Sequence, residues 1–281
     1  MPLPTHLIIV CCHAIYIGPD SFNESDWLIE PFQKGETDTY IAHVEAGVKE
    51  LAKDENALLV FSGGATKRDR TEKTEGEGYL NVALERNLFG LETSPPSLRQ
   101  RMFVDRFATD SYQNVLCSLI QFPLSVAEYQ RRLSTEGGDD PGHVSAAMGP
   151  KVDVVFPSKL TIISHEFKRS RSLNLHLPAM RWGENRETHY VGINPSFDAV
   201  KMAEIEVGDR LRGYGAWEKD LYGVGELLSR KRAVRGWEGE VFRLEVLQRL
   251  SLSVRAEVEA VVFFEGKQDL TALYDGRVPW E

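Results

Sequence analysis

Short, uninterrupted apolar runs punctuate the first two thirds of the chain, and between them the apolar positions recur at helical spacing. The runs are His6–Cys12, Ala57–Phe61, Arg101–Asp105, Lys159–Ser164 and His189–Ile193. A continuous β-branched run, without alternation, is the mark of a strand buried on both faces. Between them, Thr39–Ala52 carries Ile41, Val44, Val48 and Leu51 on one helical face, and Ser111–Tyr129 carries Val115, Leu116, Leu119 and Ile120. Glu75–Leu88 and Glu166–Leu177 complete the predicted helices. Strands alternating with helices at this spacing predict a mostly parallel, three-layer α/β sheet.

Beyond Asn194-Pro195 the pattern changes to helix-prone stretches at 199–211, 217–232 and 241–262. No composition-shifted linker precedes them. The expectation is one α/β domain over residues 1–195 with a helical extension, 196–281, packed on it. Residues 134–150, rich in Gly, Asp, Ser and Pro, are expected to form a flexible surface insertion.

The chain has 281 residues and a net charge of −9, from 33 Lys and Arg against 42 Asp and Glu. An acidic chain without a dominant basic block is a poor nucleic-acid binder, whereas small metabolites stay open because single loops can be basic. Adjacent Cys11 and Cys12 point to opposite faces of a strand and, with Cys117, give no disulfide framework, which fits a reducing compartment. The N-terminal apolar run is too short for a signal peptide or a membrane span. A cytoplasmic protein without membrane or nucleic-acid partners is expected, the nucleus staying open. The histidines show no metal-ligand spacing, so no metal site is predicted. The G-x-G-x-x-G, P-loop and G-x-S-x-G motifs are absent.

In open parallel sheets ligands bind outside the carboxyl ends of the strands, which makes the residues after each run the candidates. They are His13 after the first; Ser62, Gly63, Gly64 and Thr66 after the second; Asp105, then Asp110, Ser111 and Asn114, after the third; and Ser164, His165, Lys168 and Arg171 after the fourth. Gly63 and Gly64 would let an anion approach backbone N–H groups. Each residue has a plainer alternative: Asp110 or Ser111 as a helix cap, His13 as a core histidine, the basic residues as a solvated face. A Ser-His-Asp triad drawn from Ser62 or Ser164, His13 or His165, and Asp105 has no support in order or spacing.

The ordered set Ser62-Gly63-Gly64, Thr74-Glu75-Gly76, Asp105 with Asp110-Ser111-x-x-Asn114, and Ser164-x-x-Phe167-Lys168-x-x-Arg171-Ser172 resembles the DUF218 family, over residues 6–195. Ser-His-Glu-Phe-Lys-Arg at 164–169, Asp-Leu-Tyr-Gly at 220–223 and Gly-x-x-Pro-Trp at 276–280 are similar to its eukaryotic, fungal-type branch. The resemblance implies a Rossmann-like fold and, loosely, a nucleotide-like or S-adenosylmethionine-like ligand, but no settled reaction. Two departures stand out: the first-strand glycines are replaced by Cys12-His13-Ala14, and the motif's histidine by Lys168.

These readings lead to an expected enzyme, a hydrolase or transferase, acting on a small phosphorylated or nucleotide-like anion. Glu75, Asp105 and His13 are its acid/base candidates, and the other strand-end residues hold the ligand. Two other classes stay open: a non-catalytic nucleotide or S-adenosylmethionine sensor, and an interaction protein anchored by Trp217, Tyr222 and Trp237 beside Arg230, Lys231, Arg232 and Arg235. The oligomeric state is not specified.

Overall fold

The computed structural model describes residues 2–91, 97–134, 155–266 and 269–281. Apart from Ser134, the expected insertion at 134–150 lies outside them. Five parallel strands form the central sheet: β1 (His6–Cys11), β4 (Ala57–Ser62), β5 (Met102–Asp105), β6 (Lys159–Ser164) and β7 (Glu187–Gly192). They lie in the order β5-β4-β1-β6-β7, every neighbouring pair parallel. The apolar runs become strands because both faces are covered. Leu7, Ile9, Leu58, Val60 and Phe103 turn to one helical layer, and Ile8, Val10, Leu59, Phe61 and Met102 to the other.

The crossovers α1 (Thr37–Lys53) and α2 (Glu75–Glu85) cover the second of these faces. Helix α3 (Ser111–Ser134), the helical stretch after β6 and the C-terminal region cover the first. This is a Rossmann-like three-layer sandwich. Its direction of winding reverses between β1 and β6, the topological switch point where such sheets open a crevice.

Several boundaries differ from the sequence reading. Residues 13–36, read as one polar segment, contain a small antiparallel ribbon, β2 (Ile15–Tyr16) with β3 (Trp27–Leu28), each strand too short to leave a pattern. The expected helix 217–232 is interrupted: a helical turn ends at Trp217 and the next helix spans Glu226–Val234. Gly223, at φ +67°, breaks it, and the Asp220 carboxylate accepts from the Val224 and Gly225 N–H groups at 3.0 and 2.9 Å. The expected 241–262 helix divides into Gly239–Glu245 and Leu252–Val262, because Val246, Leu247 and Leu250 between them turn into the core. Among the described residues no helix is long and apolar enough to cross a membrane.

Candidate functional site

β1 and β6 end side by side at the switch point, and their first following residues meet there. His13 Nε2 lies 3.2 Å from Ser164 Oγ, and His13 Nδ1 lies 3.3 Å from Lys168 Nζ. The His13 ring packs against His165, centroids 4.4 Å apart, and His165 stacks on Phe167 at 4.8 Å. His43, on α1, closes the cluster at 5.6 Å from His13 and 5.0 Å from His165. Behind them Tyr40 donates to Glu36 at 2.9 Å, and the same Glu36 oxygen is 3.4 Å from His165 Nε2.

Burial, followed by the charge of nearby Lys168, holds His13 and His165 well below the ordinary imidazole range; burial and then His165 do so for His43. Burial, with the Arg171 guanidinium beside it, pushes the Lys168 ammonium down to about 7. Among the described residues Lys168 forms no ion pair. A lysine at that value exchanges its proton near neutrality.

Glu75 begins α2, where Thr74 and Glu77 form a reciprocal capping box. Its carboxylate accepts from Thr66 Oγ1 at 2.6 Å, and burial raises its affinity for a proton. The fields of Arg235, Lys67 and Lys168 oppose that rise, which places Glu75 within reach of the Lys168 cluster.

The Ser62-Gly63-Gly64 turn is built differently from the anion cradle expected of it. Gly63 N–H donates to Asp105 O at 3.0 Å and Gly64 N–H to Ala108 O at 2.7 Å, so both amides are already used. Gly63 is required by close approach: a Cβ there would lie 2.8 Å from Glu75 Oε2 and 3.0 Å from Cys12 Cβ. Its role is to let Glu75 fold over the strand end.

Asp105, expected as an acid or base, is 1% exposed and fully occupied. It accepts from Ser62 Oγ at 2.7 Å, Gln121 Nε2 at 2.8 Å and Phe107 N–H at 3.0 Å. Asn114 is buried in the same knot, 3.4 Å from Ser62 Oγ. These three residues clamp β4, β5 and α3 together at the strand ends. Ser62 with Asp105, and Ser164 with His13, are separate pairs, and no Ser-His-Asp chain forms from the candidates.

Asp110 and Ser111 open α3. Asp110 caps it, accepting from the Tyr112 and Gln113 N–H groups at 3.0 and 2.9 Å, and also pairs with Arg232 Nε at 2.5 Å. Burial alone would raise its carboxyl, but the Arg232 guanidinium draws it below the usual range. Ser111 Oγ lies 2.9 Å from His176 Nε2, and Arg171 Nη1 lies 3.1 Å from Asp209 Oδ1.

His43, His176, Lys231, Arg232 and Arg235 were not among the sequence candidates for the site. His43 and His176 left one signal, a histidine on an otherwise apolar helical face. The basic run at 230–235 left none that pointed to α3, 122 residues earlier. Trp217 and Tyr222, considered as partner anchors, are instead buried in the core at 4% and 2% exposure. A separate cavity of about 250 Å³ beside the glycine turn is lined by Arg68, Glu72, Glu77, Arg106, Glu238 and Glu245. Arg68 and Arg106 are already paired there with Glu238 and Glu245, so it offers an anion no free cation.

No family model matches the chain, and no solved structure matches it. It is similar to the uncharacterized protein YOR238W of Saccharomyces cerevisiae, 24% identical over 278 residues that take in 81% of this chain and 82% of the yeast protein.

Proposed function

We propose that this protein is an enzyme, a hydrolase or transferase, that binds a small phosphorylated or nucleotide-like anion at the C-terminal edge of the sheet. In this reading Lys168 and His13 move its proton. The observation that carries the reading is the 3.3 Å approach of Lys168 Nζ to His13 Nδ1 at the switch point, with no carboxylate among the described residues paired to the lysine. Two groups whose proton affinities are displaced by burial and by a neighbouring cation, Arg171 for Lys168 and Lys168 for His13, are the usual equipment for acid/base work.

At neutral pH the uncharged fraction of Lys168 accepts a proton, and His13, with Nδ1 toward Lys168 and Nε2 toward Ser164, passes it along the strand ends. Glu75, whose carboxyl burial raises above the usual carboxylate range, is the second acid candidate. An arriving anion would replace the missing counter-charge and raise Lys168 toward its ordinary value.

The reading includes distant membership of the DUF218 family. The order of the strand-end motifs supports it, and the replacement of the family's histidine by Lys168 is met by His13 supplying an imidazole within 3.3 Å.

A thermal-shift screen of nucleotides, phosphosugars and S-adenosylmethionine analogues, with and without Mg²⁺, should find a ligand, since binding to the folded state raises the melting temperature by mass action. Turnover of that ligand should fall at least a hundredfold in Lys168→Met and His13→Gln, the order of a lost acid/base group. Binding without turnover would identify a non-catalytic sensor, and wild-type turnover in both variants would remove the proposal.

A further inference from the structure

Next to the proton-transfer pair lies a second group of charges that it does not use. Arg171, Arg232, Lys231 and Arg235 come together near Asp110 and Asp209; each carboxylate is already engaged, by Arg232 and Arg171 respectively. Lys231 and Arg235 form no ion pair among the described residues, Arg235 donating instead to Thr109 O at 2.9 Å. Glu36 also acts on the neighbouring Lys168, and Glu75 on Lys168 and Arg235, but both carboxyls are committed, to Tyr40 and to Thr66. Positive charge is therefore in excess.

Donors are left over as well. Arg171 is 7% exposed, yet its Nε has no acceptor, and Arg232 Nη2 is likewise buried without one. Buried guanidinium N–H groups almost always find oxygen partners. The two belong to one cluster: Arg232 lies 5.7 Å over the rings of Tyr112 and Trp217, which also pack His176, and His176 feels the charges of Arg171, Asp110 and Arg232.

His176 adds a neutral donor indirectly. It is wholly buried, and its Nδ1 has no partner. An orphaned buried N–H is costlier and rarer than an orphaned lone pair, which assigns the proton to Nε2. Nε2–H then donates to Ser111 Oγ at 2.9 Å, leaving the Ser111 hydroxyl hydrogen to turn toward another acceptor.

We infer that this cluster seats a dianionic phosphate group, as in a phosphate monoester or diphosphate, held by Arg171 Nε, Arg232 Nη2, Lys231 and the Ser111 hydroxyl. His176 acts as a positioning residue for Ser111. The inference rests on the reading of the adjacent Lys168–His13 pair as the reactive centre, and it names the substrate class for that site. Because Lys231 and Arg232 come from the C-terminal region, that region is part of the site as well as a cover for the sheet.

The test is titration of the full chain with inorganic phosphate and with pyrophosphate, read by melting temperature and calorimetry against KCl of equal ionic strength. Pyrophosphate should stabilise the protein where KCl does not, and Lys231→Ala and Ser111→Ala should each weaken its Kd about tenfold, the worth of one charge-assisted contact. Lys231 is exposed, so its variant will fold. His176→Gln, which keeps a donor to Ser111, should restore most of the affinity lost in His176→Phe. Wild-type affinity in both Lys231→Ala and Ser111→Ala, or no stabilisation beyond that of KCl, overturns the inference. Turnover in Lys168→Met scores the proton-transfer reading, and pyrophosphate binding in Lys231→Ala and Ser111→Ala scores the phosphate seat, so the two fail independently.

Discussion

Asp110 and Arg232, 122 residues apart, form a buried ion pair in which the carboxylate that caps α3 also holds the C-terminal region against the sheet. Removing one partner of such a pair strands the other charge, at a cost of about 3 kcal/mol or more, whereas removing both is much cheaper. Arg232→Met should therefore lower the urea midpoint sharply, and Asp110→Asn with Arg232→Met together should recover a large part of the loss. Additive losses in the two single variants would show that the charges do not depend on one another.

Lys168 carries a stability cost whose sign follows from its lowered pKa. Its folded value, about 7, lies below the unfolded value, so between pH 7 and the ordinary lysine range the unfolded chain binds more protons and stability rises with pH. Below pH 7 the full cost of the buried charge is present. Lys168→Met should consequently stabilise the free protein most at pH 6, with the advantage shrinking as pH climbs toward 10. Melting temperatures of both proteins across that range provide the check, and an advantage independent of pH would mean that the charge is not the source.

The buried imidazoles act in the acid range. His13, His43, His165 and His176 are all held neutral chiefly by burial, with folded values below the unfolded one. As pH falls through about 6.5 the unfolded chain takes up protons that the folded chain refuses, so stability is lost at up to about 1.4 kcal/mol per pH unit for each ring. Urea melts at pH 7.5, 6.5 and 5.5 should show a steep loss that is visibly shallower in His176→Gln. An anion that protonates Lys168 on binding should flatten the upper end of the profile.

The layers were legible from the sequence because a strand buried on both faces must be apolar throughout, and His6–Cys11 and Lys159–Ser164 announce themselves in that way. That His13 and Lys168 would lie on one edge of the sheet followed from the carboxyl-end rule once the strands were placed. The strand order itself, which brings β1 beside β6, is not written in any local pattern. The knot of Ser62, Asp105 and Asn114 was not legible because strand-end polar residues that satisfy one another look, in one dimension, like those that await a ligand. The basic helix at 226–234 was opaque for a related reason. Its contact with α3 is set by tertiary packing through Trp217 and Tyr112, not by any spacing.

The two glycines nearest the site separate close packing from ligand contact. At Gly63 an added Cβ would meet Glu75 Cβ and Oε2 at 2.8 Å, and the carboxylate end can swing away. At Gly76 it would lie 2.5 Å from Phe61 O, a backbone oxygen fixed in the sheet, and 2.8 Å from Val104 Cγ1. Gly76→Ala must therefore lift α2 off β4 and β5, with an overpacking cost of about 1–3 kcal/mol. Gly63→Ala should also cost stability, because Glu75 Cβ and Cys12 Cβ are fixed to the backbone, and in addition it displaces Glu75 from Thr66. Activity should separate the two. Gly63→Ala, with Glu75 turned out of reach of Lys168, should lose more turnover per degree of melting temperature than Gly76→Ala. Equal losses of turnover at equal losses of stability would show that Glu75 takes no part in the chemistry.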